Sequence, residues 1–261
     1  MNLRRLIEHL KGQHWTAVAI DFVIVVVGVF VGIQVSNWNQ QRATDRQAAI
    51  FTMHLKEDLR EEDWVYQLMI GYNRQVLANA ERAANALSGS STMSDEAFLV
   101  SAYRATQYKQ RLRRRATFDE LISTGTIGLI KDRELRDLAI RVYNMPVIEN
   151  IARDGIESRY REEFRMSVAT EVQRALARNC GDRPTMVGDY GAIAAALDYP
   201  CQTGLSEASI RETAAALRSN PELLSLLRLR IADLDTRLGD MRGPNYEAVR
   251  LGLHAIGKEK P

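Results

Sequence analysis

Between Phe22 and Ile33 the chain reads FVIVVVGVFVGI, twelve residues that are all apolar or glycine, and the uncharged stretch runs on to Gln41. No other segment is long and apolar enough to cross a bilayer, whose hydrocarbon core of roughly 30 Å needs about 20 helical residues. A secretory signal peptide is the competing reading, because Arg4, Arg5 and Lys11 form a basic segment before the run. The apolar part of a signal peptide is about 7–15 residues long and closes on a small-x-small site. Here the run is longer, and Gln34, Val35, Ser36 and Asn37 make a poor cleavage site. The expectation is an uncleaved signal anchor over 15–39, between a cytoplasmic basic tail over 1–14 and an outer domain over 40–261.

Orientation rests on the Lys and Arg near the ends of the span: Arg4, Arg5 and Lys11 before it, Arg42 and Arg46 after it. The cysteines point the same way. Cys180 and Cys201 flank a Gly- and Pro-containing stretch, and a bridge between them belongs in an oxidising compartment. Closing that loop contributes about 3 kcal/mol. Two reduced, buried thiols are the alternative. The expected location is the bacterial inner membrane, crossed once, with the C-terminal part in the periplasm.

Beyond the span the pattern is helical throughout, so the fold class expected is all-α: a transmembrane helix followed by a helical bundle with long antiparallel helices. Residues 45–87 contain no Pro and only Gly71, and Leu55, Leu59, Tyr66, Met69, Val76, Ala80, Ala83 and Leu87 form a seam interrupted by Glu62 and Asn73. Near the other end, Asn220 and Pro221 open a helix with a stripe of Leu224, Leu227, Ile231, Leu234, Leu238 and Met241. Between them, Ser94 and Asp132 read as N-caps, Thr117 with Glu120 as a capping box, and Gly125 as a stop. Leu135, Leu138, Ala139 and Val142 share a face before Pro146, and the pattern resumes through Ile148, Ile151, Ile156, Tyr160 and Phe164 towards Leu176. The expectation is one bundle of four or five main helices.

Two stretches, GVFVGIQVSNWN and FDELISTGTIGLIKDRELRDLAIRVYN, resemble an uncharacterised family of bacterial single-span proteins. In that family the span opens with an acidic residue, passes through Gly and runs into an Asn-Trp-Asn exit, and a Ser-Gly turn precedes a Leu-Arg helix. The matching positions are Asp21, Gly28, Asn37, Trp38 and Asn39, then Leu121, Gly125, Leu129, Ile130, Leu135 and Arg136. The resemblance implies topology and fold, and no reaction.

No catalytic motif is legible. His54 and His254 are the only histidines of the outer part, and neither sits in a His-Glu-x-x-His pattern; a Gly-x-Ser-x-Gly elbow, a phosphate loop and a Cys-x-x-Cys pair are lacking. In HLKEDLREED, His54, Asp58 and Glu61 or Glu62 share a helix face, yet Lys56 and Arg60 sit among them as in a solvated ion-pair surface. No enzyme activity, cofactor or metal is expected. The strongest local charge is KQRLRRR, with Lys109, Arg111, Arg113, Arg114 and Arg115. It reads either as a solvated basic helix face neutralised by Glu61, Glu62 and Asp63 or by Glu162 and Glu163, or as a contact for anionic lipid or an acidic partner. Nucleic acid is not expected outside the membrane. The net charge of +2 exerts no global pull on either.

Asp21 is the remaining puzzle. Phe22 to Ser36 would be only about 22 Å of helix, so the span must draw on residues at either end, leaving Asp21 near the inner boundary. At 100° per residue Ala17, Asp21, Ile24, Gly28, Gly32 and Val35 share a face, which aligns the acid with a small-xxx-small helix contact. The function expected is a non-enzymatic bitopic protein that self-associates or joins another membrane protein. The alternative is an ion-coupled or sensory partner subunit using Asp21; with about 14 residues before the span, a sensor would need a transducing partner.

Overall fold

The computed structural model describes residues 15–258, with side chains from Val18 on. The basic tail over 1–14 lies outside the described residues. Among the described residues ten α-helices follow one another: α1 (Trp15–Leu87), α2 (Asp95–Ala105), α3 (Ala116–Ser123), α4 (Arg133–Tyr143), α5 (Val147–Ile156), α6 (Arg159–Ser167), α7 (Thr170–Cys180), α8 (Glu207–Ser219), α9 (Leu223–Arg242) and α10 (Pro244–Lys258). Short 3₁₀ turns occur at Ile127–Leu129 and Gly191–Ala195, and no strand occurs among the described residues. The all-α class holds, with more and shorter helices than the four or five expected. The apolar pattern from Ile148 to Leu176 is three helices, because the backbone turns extended at Ser158 and again at Val168 and Ala169.

The chain divides into two compact units. Among the described residues the first takes 15–53 together with 128–131. Its part of α1 presents its side chains to the surroundings from Val18 to Gln47, and it is the one helix long and apolar enough to cross a membrane among the described residues. Lys131 Nζ donates to Asp45 Oδ1 at 2.8 Å within this unit.

The second unit, 54–127 and from 132 on, holds the core. In its part of α1, Leu55, Leu59, Tyr66, Met69, Val76, Ala80 and Ala83 are fully buried, as the seam predicts, and Leu87 is partly buried. Trp64, Val65, Leu68 and Tyr72 are buried too, so the helix is covered on every side over these turns and forms the axis of the unit. Gly71 is required there: a Cβ would run into the side chain of Ile193. A cluster of Phe98, Leu99 and Ala102 on α2, Tyr160 and Phe164 on α6, Val172 and Leu176 on α7, and Leu217 on α8 surrounds the far end of α1.

The stripe of α9 is rotated from the expected one. Leu227, Leu234, Leu238 and Met241 are buried as expected, but Leu223 and Arg230 take the places of Leu224 and Ile231, which are only partly buried. Arg230 is buried there with Nη2 donating to the Gln107 carbonyl at 3.1 Å.

Some helix ends follow local chemistry and others do not. Helices α5, α6 and α7 begin without a side-chain cap bond. Helix α9 begins at Leu223, and Glu222, also without a side-chain cap bond, holds its cap position in place of the expected Asn220 and Pro221. Ser94 accepts from the Ala97 N–H at 3.2 Å and Asp132 from the Leu135 N–H at 3.1 Å. Asn220 Oδ1 accepts from Glu222 N at 3.0 Å in the turn before α9. Gly125, at φ +68°, closes α3 in a Schellman pair: its own N–H reaches the Ile122 carbonyl and the Thr126 N–H reaches Leu121. The capping box of Thr117 and Glu120 does not form. Helix α3 begins at Ala116, which puts Thr117 inside it, and Arg115 holds the cap position without a side-chain bond.

Candidate functional site

The basic run is no helix face. Residues 107–115 form an irregular segment between α2 and α3 that pairs with the acidic stretch of α1. Arg113 places Nη2 and Nε at 2.6 and 2.8 Å from Glu62 Oε2, with Glu62 fully buried. Its other nitrogen reaches Glu149 Oε1 at 3.1 Å, and Nη2 also donates to the Val142 carbonyl at 2.8 Å. Burial works to lower the Arg113 pKa, but the hydrogen bonds and charges of Glu62 and Glu149 outweigh it and hold the guanidinium above its ordinary value. Arg114 pairs with Asp58 at 2.8 Å and Glu61 at 3.4 Å, and Tyr143 donates its hydroxyl to the Arg114 carbonyl.

The rest of the run is fixed as well. Lys109 Nζ lies 2.9 Å from Asp182 Oδ2, whose other oxygen accepts from the Tyr72 hydroxyl at 2.6 Å. Arg111 Nη2 donates to the Thr185 carbonyl and hydroxyl at 2.7 and 2.9 Å and lies over the Trp64 ring. Arg115 pairs with Asp119 one turn on. Glu61 and Glu62 are thus neutralisers of the run, as one reading held; Asp63 accepts from Tyr190 instead, and Glu163 from Ser167 and Asn220. Arg114 and Arg115 stay about half-exposed, whereas Arg113 is enclosed.

These pairings account for HLKEDLREED. Asp58, Glu61 and Glu62 meet the arginines, while His54 points to the surroundings. Among the described residues no group of three or more His, Cys, Asp or Glu is disposed to hold a metal ion. A groove of about 380 Å³ between α1, α4 and α10, lined by Lys56, Asp137, Leu138, Arg141 and Gly252, contains neither His54 nor His254.

Cys180 and Cys201 form a disulfide with their Cα atoms 5.5 Å apart. Arg104, buried on α2, ties the loop it closes: Nε donates to the Cys180 carbonyl at 3.1 Å and Nη2 to the Tyr199 carbonyl at 2.9 Å. The Tyr199 hydroxyl donates to the Gly181 carbonyl, and Arg104 and Arg183 both lie against its ring. Gln75 of α1 accepts from the N–H groups of Leu197 and Asp198 and donates to the Ile193 carbonyl. Sequence reading found the cysteines and missed Arg104 and Gln75. A cation in the apolar helix FLVSAYRA was the available signal for Arg104.

In the first unit, Asp21 is exposed, and a Cβ at Gly28 or Gly32 would meet nothing within 4 Å. The face they share is therefore uncovered among the described residues.

Residues 21–144 match a family of unknown function (DUF6090). The match opens on Asp21 and closes on Asn144, so it contains both stretches that carry the resemblance and ends before the disulfide. Neither the curated proteins nor the solved structures yield a match.

Proposed function

We propose that the chain is a single-span protein of the bacterial inner membrane whose unit from residue 54 on is a non-enzymatic interaction domain in the periplasm. The exposure of α1 carries this reading. Thirteen large apolar side chains from Val18 to Val35 are each 46–69% exposed. At roughly 1.5 kcal/mol each, removing them from water is worth on the order of 20 kcal/mol, and lipid is the environment that does so along a whole helix. The disulfide supports an oxidising compartment, and Arg4, Arg5 and Lys11 against Arg42 and Arg46 support a cytoplasmic N-terminal side.

The uncovered face of Asp21, Gly28 and Gly32 suits a second membrane helix, from another copy or another protein. Asp21 near the end of that face also favours an ion-coupled role within the assembly, because an acid at a helix contact in lipid needs a partner or a proton.

Alkaline carbonate extraction tests the anchor, and a phosphatase active only in the periplasm, fused after residue 261, tests the orientation. Retention in the pellet with an active fusion is the expected result. Release into the supernatant would remove the span, and an inactive fusion with pelleted protein would reverse the topology.

A further inference from the structure

Three arginines converge on one cavity of the second unit. Arg161 and Arg165 from α6 and Arg174 from α7 line a space of about 360 Å³, together with Phe164, Tyr103 and Thr106. Asp and Glu are absent from its lining. Among the described residues none of the three is in an ion pair, which sets them apart from Arg104, Arg113, Arg114, Arg115, Arg218 and Arg237 of the same unit. Arg161 lies over the Tyr108 ring, 4.9 Å from its centre. Glu157 and Glu162 line the adjoining outer groove, exposed and outside ion-pair distance.

The floor of the cavity is apolar. Phe164 and Tyr103 are 1% and 9% exposed, with ring centres 6.3 Å apart. Behind one wall the buried Arg230 donates to the carbonyl of Gln107, which itself lines the space. Burial lowers the pKa of Arg161 and the charge of Arg165 lowers it further. Like charges gathered with no carboxylate within ion-pair distance raise the free energy of the empty site, and an anion between them removes that repulsion.

We propose that this cavity binds an oxyanion, phosphate or carboxylate, carried on an apolar or aromatic body. The planar guanidinium forks match either oxyanion in paired hydrogen bonds, and the Tyr103–Phe164 floor takes the body. A lipid headgroup and a soluble organic anion present the same chemistry here.

Calorimetric titration of the full chain in neutral detergent tests the site with inorganic phosphate, phenyl phosphate and dihexanoyl phosphatidic acid, with phenol as the uncharged control. Saturable binding of phenyl phosphate or of dihexanoyl phosphatidic acid at millimolar concentration is expected, tighter than that of inorganic phosphate, with no heat from phenol. Tighter binding of the short lipid than of phenyl phosphate assigns a headgroup, and the reverse order a soluble anion. Arg165 and Arg174 are exposed, so the double variant Arg165→Gln/Arg174→Gln should keep its unfolding midpoint and weaken binding at least about tenfold. A Glu171→Gln variant, on the same helix and outside the lining, should bind as the parent does. Absence of saturable binding by both organic anions, binding no tighter than that of inorganic phosphate, or equal binding by the double variant, overturns the proposal.

Discussion

Arg113 and Glu62, 51 positions apart in the chain, meet in a fork of two hydrogen bonds to one carboxylate oxygen, 2.6 and 2.8 Å long, with both side chains nearly sealed from solvent. The pair pins the segment 107–115 to α1 at the only polar break in a seam that is otherwise apolar from Leu55 to Met69. Removing one partner strands the other charge in the interior. Arg113→Met should therefore destabilise the protein by about 3–5 kcal/mol, while Glu62→Met/Arg113→Met should recover most of the loss. Urea unfolding of the four proteins in a double-mutant cycle measures this; additive losses would deny the coupling. Charge reversal of the run as a test of partner or lipid binding must spare Arg113, and Arg114→Glu/Arg115→Glu is the informative variant.

The disulfide closes a loop that Arg104, Gln75 and Tyr199 already hold. Its effect falls on the unfolded chain, where the other ties are gone. Cys180→Ala/Cys201→Ala should lower stability by about 3 kcal/mol, or roughly 6–12 °C in Tm for a unit of this size. The loop should keep its place, so near-ultraviolet circular dichroism of the folded variant should match the parent. A collapse of that signal would show that the bridge, and not the hydrogen bonds, positions the loop.

How much of this was legible follows from the range of the interactions. The α1 seam was readable because Leu55, Leu59, Tyr66 and Met69 repeat with the period of the helix itself. Ser94, Asp132 and Gly125 act within four residues, and their roles came through. Arg230 did not, because a hydropathy pattern assigns a cation to the surface and Ile231 beside it to the core. The breaks at Ser158 and Ala169 carry neither Pro nor Gly, and tertiary packing decides them. The arginine cavity joins α2, α6 and α7, a meeting that periodicity along one helix does not encode.

Glu96 supplies a pH dependence. Its Oε1 accepts from the hydroxyl and the N–H of Thr203, at 2.6 and 2.8 Å, and these bonds hold the carboxyl below its ordinary value of 4.5. A depressed acid takes up its proton less readily folded than unfolded. Its stabilising contribution is complete above the unfolded value and is lost as pH falls through the folded one. Unfolding midpoints measured from pH 6 downwards should fall less steeply below about pH 4.5 for Glu96→Gln than for the parent. Parallel curves would remove Glu96 as a contributor.

Gly28 and Gly32 stand one turn apart on the uncovered face of α1, with open space where a Cβ would be. A second helix approaches closely there only if both positions stay small, because contact between backbones replaces the hydrophobic effect as the driving force in lipid. Gly28→Leu and Gly32→Leu should each weaken association of the span in a membrane dimerisation reporter, while Val27→Leu, off that face, should not. Asp21→Asn should leave insertion intact, since an acid near the boundary costs less than the roughly 2.5–3.5 kcal/mol of a central one, and should alter the assembled protein's activity in cells. Equal signals from all the glycine and valine variants would show that the face is lipid-exposed. An unchanged complex and phenotype for Asp21→Asn would make Asp21 a tolerated boundary charge.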